Sequence, residues 1–321
     1  MTRRDLKYII TIGVEWPTIV WKEVHIMSSN KSIPTYKRQR LLLSVAQRLV
    51  EPAYATDFQK IMFLCMMQTG RNDYEFVPYR FGPYSFQLAT DIETLRRSGF
   101  LSDETHRIKI DHPISDLAGD FYSGFTIPNE RGDDLMRKTY RAYPYYTINS
   151  EIIRRLFKNS PTEMNQLLLE RERLKQENNV LFTIGYEGRS LESFLNTLLQ
   201  NDVRVLCDVR KNPYSRKYGF SRDKLEQVTQ GTAIKYVAFP ELGIESEKRK
   251  SLDTADDYKD LFSEYKETLS YRKKELERLY NIYKAEGRVA LMCFEKDPQM
   301  CHRHIIRDYL CSEYLIWSSD L

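Results

Sequence analysis

Two carboxylates, Asp208 and Glu295, each follow an apolar run of strand length, residues 203–206 and 288–294. Neighbouring carboxylates cannot both ionise cheaply, so such a pair can do acid/base work. It can also stabilise an oxocarbenium-like centre, as cleavage of a glycosidic bond requires. Tyr186 and Glu187 follow a third such run, residues 180–184. Arg210, His302 and Arg303 add donors suited to phosphate or carboxylate, the last two at a predicted helix start. Asp208, Glu295 and Tyr186 are therefore the candidate catalytic groups. Glu187, Arg210, Tyr214, Ser215, His302 and Arg303 are the candidate substrate contacts. A plainer alternative stays open, in which Asp208 or Glu295 only pairs with Arg210 or Arg303 to hold a loop.

The stretch from Arg204 to Lys224 contains seven basic and two acidic residues, with Tyr214, Tyr218 and Phe220 between them. Basic groups neutralise phosphates, and aromatic rings stack on single-stranded or extruded bases. Arg210, Lys211, Arg216, Lys217 and Arg222 are the expected nucleic-acid contacts. Cys293, Cys301, His302 and His304 invite a zinc reading, but Cys-x7-Cys-His-x-His lacks the short paired spacing of structural zinc sites. No metal and no cofactor is expected. Cys301, near a helix start, has no orienting triad in view. No acidic cluster of the two-metal nuclease type is present.

These groups need a scaffold that gathers distant loops. From Val180 onward, apolar runs alternate with helical stretches: strands at 180–184, 203–206, 234–239 and 288–294, and helices at 190–199, 221–230, 255–286 (one long or two broken) and 298–311. Strands apolar on both faces and alternating with helices predict a parallel, Rossmann-like α/β sheet with right-handed crossovers. Ligands bind beyond the carboxyl ends of such strands, which puts the polar loops on one rim and predicts a single cleft.

This half resembles the family called domain of unknown function 488. The shared elements are Thr183-Ile184-Gly185, Asp208-Val209-Arg210-Lys211-Asn212-Pro213-Tyr214-Ser215, Leu242-Gly243, and Cys293-Phe294-Glu295 through Cys301-His302-Arg303. The resemblance spans about residues 180–310 and implies the α/β fold and the location of the site. It departs at Tyr186-Glu187, where many relatives carry His-Ser, so no histidine role transfers to that position.

The N-terminal half reads differently. Helical periodicity covers residues 35–50, 57–67 and 86–98. A turn-rich Phe-Val-Pro-Tyr-Arg-Phe-Gly-Pro-Tyr-Ser stretch precedes the third helix, and Ser85 caps it. Strand-like segments at 106–110 and 121–127 follow. Three helices and a ribbon resemble winged helix-turn-helix modules of antitoxin-like and regulatory bacterial proteins. The expected organisation is an extension at 1–30, a winged-helix (α+β) domain at 31–150, a charged connecting helix at 151–179, and the α/β domain at 180–321.

Of 321 residues, 41% are apolar and 22 are tyrosine, enough for real cores. Five irregularly spaced cysteines argue against a disulfide framework and for a reducing, cytoplasmic setting. The first 26 residues lack a cleavage site and an unbroken apolar span, so neither signal peptide nor membrane span is expected. The net charge of +4 is modest. The reading that unites these features is an enzyme acting on nucleic acid, most economically a metal-independent DNA glycosylase that hydrolyses the N-glycosidic bond of a flipped base. An anti-phage role would suit that activity. The alternatives are a winged-helix regulator sensing a nucleotide-like ligand, or an enzyme acting on a free phosphorylated small molecule.

Overall fold

Three strands of the C-terminal half are mostly apolar and buried almost throughout, because the sheet is covered on both faces. They are β5 (Val180–Gly185), β6 (Val205–Asp208) and β8 (Arg288–Cys293). The computed structural model describes residues 33–103, 106–111, 114, 117, 124–249 and 254–321. The expected extension at 1–30 lies outside them. With β7 (Lys235–Ala238) and β9 (Ser318–Asp320), the three buried strands form a five-stranded, wholly parallel sheet of order β7-β6-β8-β5-β9. The register pairs Gly185 with Cys293 and Asp208 with Met292, so three strand ends share one edge.

Helices α7 (Leu191–Gln200) and α8 (Arg222–Thr229) cover one face, packing Phe194, Leu195, Leu198, Leu225 and Val228 against Leu206, Ala290 and Met292. Helices α9 (Ala255–Thr268), α10 (Lys273–Glu286) and α11 (Arg303–Tyr314) cover the other, against Val205, Cys207, Leu291 and Cys293. The crossover from β5 through α7 and the crossover from β8 through α11 leave adjacent strands toward opposite faces. That divergence is a topological switch point, where an open sheet forms its crevice.

Caps fix where these helices start. The Ser190 side chain accepts from Ser193 N, and Thr254 and Asp257 form a reciprocal capping box. The edge strand β9 was not expected, because Ser-Ser-Asp carries no apolar signal. Polar contacts hold it instead: Thr183 Oγ1 donates to Asp320 Oδ1 at 2.6 Å, and Arg307 binds both Asp320 oxygens at 3.0 and 2.9 Å.

In the N-terminal half, α1 (Lys37–Gln47), α2 (Ala55–Thr69) and α3 (Phe86–Arg97) bury a core around Leu42, Phe58, Met62 and Leu88. Ser85 caps α3 as expected, accepting from Leu88 N at 3.2 Å. The stretch read as a turn-rich connection is a hairpin, β2 (Val77–Tyr79) and β3 (Gly82–Tyr84). Its paired Pro78 and Pro83 cannot donate to the ladder, which disguises it. The first expected ribbon strand is present as β4 (Arg107–Ile108), but it pairs antiparallel with β1 (Ala53–Tyr54). Of the second, residues 121–123 lie outside the described residues and 124–127 are irregular. Helix α4 (Gly132–Ala142) was not anticipated. The single connecting helix is two, α5 (Ile153–Leu156) and α6 (Pro161–Leu174), and Pro161 opens the second.

The described residues from Pro34 onward form one compact unit. Val77, Phe86 and Ile148 join the core on the α7–α8 face of the sheet. Buried Glu192 fastens the junction, its Oε1 accepting from Gln87 N at 2.8 Å and Ser85 Oγ at 3.3 Å. Asn196 Nδ2 donates to Phe76 O at 2.7 Å. No helix among the described residues is long and apolar enough to cross a membrane.

Candidate functional site

Side chains alternate along a strand, so a residue's parity decides which face it reaches. Leu206 and Asp208 point to the α7–α8 face, and Cys207 and Val209 to the other. Asp208 ends β6 with no exposed surface and is held by four donors. Oδ1 accepts from Arg210 N at 3.1 Å and Arg210 Nε at 2.8 Å. Oδ2 accepts from Arg210 Nη2 at 2.6 Å and Tyr236 Oη at 2.7 Å. The guanidinium binds the carboxylate with two prongs, the strong geometry for such a pair.

Arg210 Nη1 then donates to Tyr186 Oη at 3.0 Å, and Tyr186 Oη donates to Ser215 Oγ at 3.4 Å. The result is one chain, Tyr236–Asp208–Arg210–Tyr186–Ser215. Burial works against the charge on Arg210, but the hydrogen bonds and charge of Asp208 outweigh it and hold the guanidinium above its ordinary value. Burial, reinforced by the Asp208 charge, raises the Tyr236 phenol well above its usual range. Tyr186 stacks on Phe220 with centroids 4.3 Å apart and meets the edge of half-exposed Phe294 at 5.3 Å.

The other predicted residues gather elsewhere. Arg303 is buried, with its guanidinium given to protein acceptors: Thr183 Oγ1 at 3.2 Å, Glu295 O at 2.6 Å and Lys296 O at 3.0 Å. It shapes the loop after β8. Glu187 serves the same loop, its Oε2 accepting from Lys296 N at 2.9 Å. Gly185 is required here, because a Cβ would stand 1.8 Å from Glu295 O. His302 is buried on the α9–α11 face with Cys293 and Cys301, and its Nε2 hydrogen-bonds Val209 O at 2.9 Å.

The single cleft expected from the sequence is therefore two clusters. Asp208, Arg210, Tyr186 and Ser215 occupy one face of the sheet, and His302 occupies the other. Val209, between Asp208 and Arg210, is the link between them. All the motif loops leave the sheet at one edge, as the strand ends predict. Parity divides their residues: Asp208 pairs with Met292, so Cys293, one residue further, faces the opposite way.

The basic loop is anchored and partly displayed. Lys217 Nζ donates to Tyr186 O at 2.8 Å, Lys211 pairs with Glu245 at 2.6 Å, and Arg222 Nε donates to Glu226 at 2.9 Å. Arg216 is exposed, and Tyr214 is 79% exposed. Gly243 of the Leu-Gly turn lies against this loop, where a Cβ would stand 2.1 Å from Lys211 N.

Tyr236 was missed by sequence reasoning. Its signal is a polar-tipped aromatic on an edge strand, at a register position that pairs with Leu206 and so shares a face with Asp208. Among the described residues, Cys293, Cys301 and His302 are the group whose ligand atoms lie within metal-binding reach of one another.

No curated protein and no solved structure matches the chain. Residues 190–310, which supply α7, the basic loop and the Cys-His-Arg helix start, match the family model described as "Domain of unknown function DUF488".

Proposed function

We propose that the chain acts on nucleic acid and hydrolyses the N-glycosidic bond of an extruded, modified base. The observation that carries this reading is the coupling of a displayed basic-aromatic loop to a buried carboxylate. The segment exposing Tyr214 and Arg216 is tied through Arg210 to Asp208 and through Lys217 to Tyr186. Stacking on Tyr214 and phosphate contacts from Lys211, Arg216 and Arg222 would grip the strand. The aromatic set Tyr186–Phe220–Phe294 offers a face for the base. The carboxylate of Asp208 would stabilise positive charge developing on the sugar, with Glu295 as the second carboxylate of the reaction. Arg210 and Tyr236 are positioning residues for Asp208.

A winged-helix role for the N-terminal half belongs to this reading. Three helices in the order α1–β1–α2–β2–β3–α3–β4, with β1 paired to β4, support it. That half would hold the duplex beside the loop.

One observation favours a second reading. Asp208 is saturated by four donors, an arrangement that suits a rigid sensor of a nucleotide-like ligand with no turnover. The two readings separate when the full chain is incubated with DNA carrying modified or unmodified bases, then assayed for released base and alkali-labile sites. Base release supports the glycosylase. Ligand-dependent DNA binding without release from any substrate overturns it in favour of the sensor.

A further inference from the structure

Cys293 ends β8 and points to the α9–α11 face, while Cys301 and His302 begin the turn into α11. All three are at most 1% exposed. Their ligand atoms lie within 4.8 Å of one another, and both thiol sulfurs stand 3.8 Å from His302 Nδ1. The other imidazole nitrogen meets the carbonyl of Val209 at 2.9 Å. A carbonyl only accepts, so Nε2 is the nitrogen that donates, and in the neutral ring Nδ1 turns its lone pair toward the two sulfurs. A metal-ligating histidine shows the same arrangement: one nitrogen faces the ion and the other donates to a backbone carbonyl that fixes the ring.

From these distances we infer that Cys293, Cys301 and His302 form a binding site for one thiophilic divalent cation, zinc, separate from the Asp208 network. A cation at the centre of the three ligand atoms would bond to all of them at once. With zinc–sulfur bonds of about 2.3 Å and a zinc–nitrogen bond of about 2.0–2.1 Å, the sulfur–nitrogen edge is about 3.6 Å at tetrahedral angles and about 3.8 Å at trigonal ones. The observed edges of 3.8 Å match.

Charge selects the ion. Two thiolates, a neutral imidazole and a divalent cation sum to zero, which a buried site tolerates, whereas a monovalent ion leaves a buried negative charge. Binding balances as two S–H bonds broken, two zinc–sulfur bonds formed and two protons released to solvent, with Nε2 keeping its proton. The pocket wall is Tyr265, its ring 5.4 Å from the imidazole and its hydroxyl donating to Leu242 O. The ion would tie the end of β8 to the start of α11. Through Val209, it would also steady the loop that carries Asp208 and Arg210.

Paired motif spacing gave no reason to expect this site. Its ligands are assembled by strand end and helix start instead. The test is metal analysis of the full chain, grown with added zinc and purified without chelator, together with the absorption spectrum after exchange to cobalt(II). The expected results are about one zinc per chain and a cobalt–thiolate charge-transfer band. In Cys293→Ser and Cys301→Ser, zinc should fall at least tenfold. Protein that retains no zinc, a cobalt form without the thiolate band, or a Cys293–Cys301 disulfide found by mass spectrometry overturns the site. Folded serine variants that keep a full equivalent do the same. Where those variants do not fold, the wild-type stoichiometry and cobalt spectrum decide.

Discussion

Lys60 offers a sharp test of the packing described for the N-terminal half. It lies in α2 at 1% exposure, on the wall of a cavity of about 330 Å³ shared with Tyr79, Phe81 and Tyr84. Burial lowers the amine from 10.5 to about 7, against a smaller opposing pull from Asp57. The folded value lies below the unfolded one. Between about pH 7 and 10.5 the unfolded chain therefore binds a proton that the folded chain does not, and stability rises with pH. The cost is fully present below pH 7 and gone above 10.5. At about 1.4 kcal/mol per unit, it amounts to about 4 kcal/mol at pH 7 and about 2 kcal/mol at pH 9. Lys60→Met keeps chain length and helix propensity while removing the amine. Urea denaturation at a series of pH values should show the variant more stable at pH 7, with the difference shrinking toward zero by pH 11. Titrations common to both proteins cancel in that difference. A gap that does not change with pH, or a variant less stable at pH 7, would refute the argument.

Other consequences follow from the site. Arg210→Leu strands the Asp208 carboxylate in the interior and should cost about 3–5 kcal/mol in urea denaturation, most of it recovered when Asp208 is also made Leu. Gly185→Ala drives a methyl group into Glu295 O and should lower the thermal midpoint of the full chain, read by circular dichroism. Tyr214→Ala, at a side chain 79% exposed, should leave stability within about 0.5 kcal/mol of wild type. The same change should weaken binding to a single-stranded oligonucleotide by about 1–3 kcal/mol in a fluorescence titration.

The sheet was legible because β5, β6 and β8 are built on apolar runs of strand length that alternate with helical stretches, the pattern of parallel strands covered on both faces. The motif loops were legible for the same reason, since each leaves one of those strands. What stayed hidden was held by polar or irregular means. The strand β9 rests on Thr183, Arg307 and Asp320 rather than on apolar residues. The hairpin β2–β3 hides behind paired prolines. In the site, residue types pointed to Asp208 and Arg210, but the bidentate pair and the Tyr236 contact depend on register between strands, which sequence spacing alone does not give. Register also sends Cys293 to the face opposite Asp208, so the groups expected in one cleft fall into two buried clusters.

The most direct trial of the proposed activity is the rate of base release from modified DNA by wild type and Asp208→Asn, at a temperature where circular dichroism shows both folded. The Asp208-centred account predicts release by wild type and a fall of at least about 100-fold in the variant. Absence of release by wild type, or an unchanged rate in the folded variant, would contradict it.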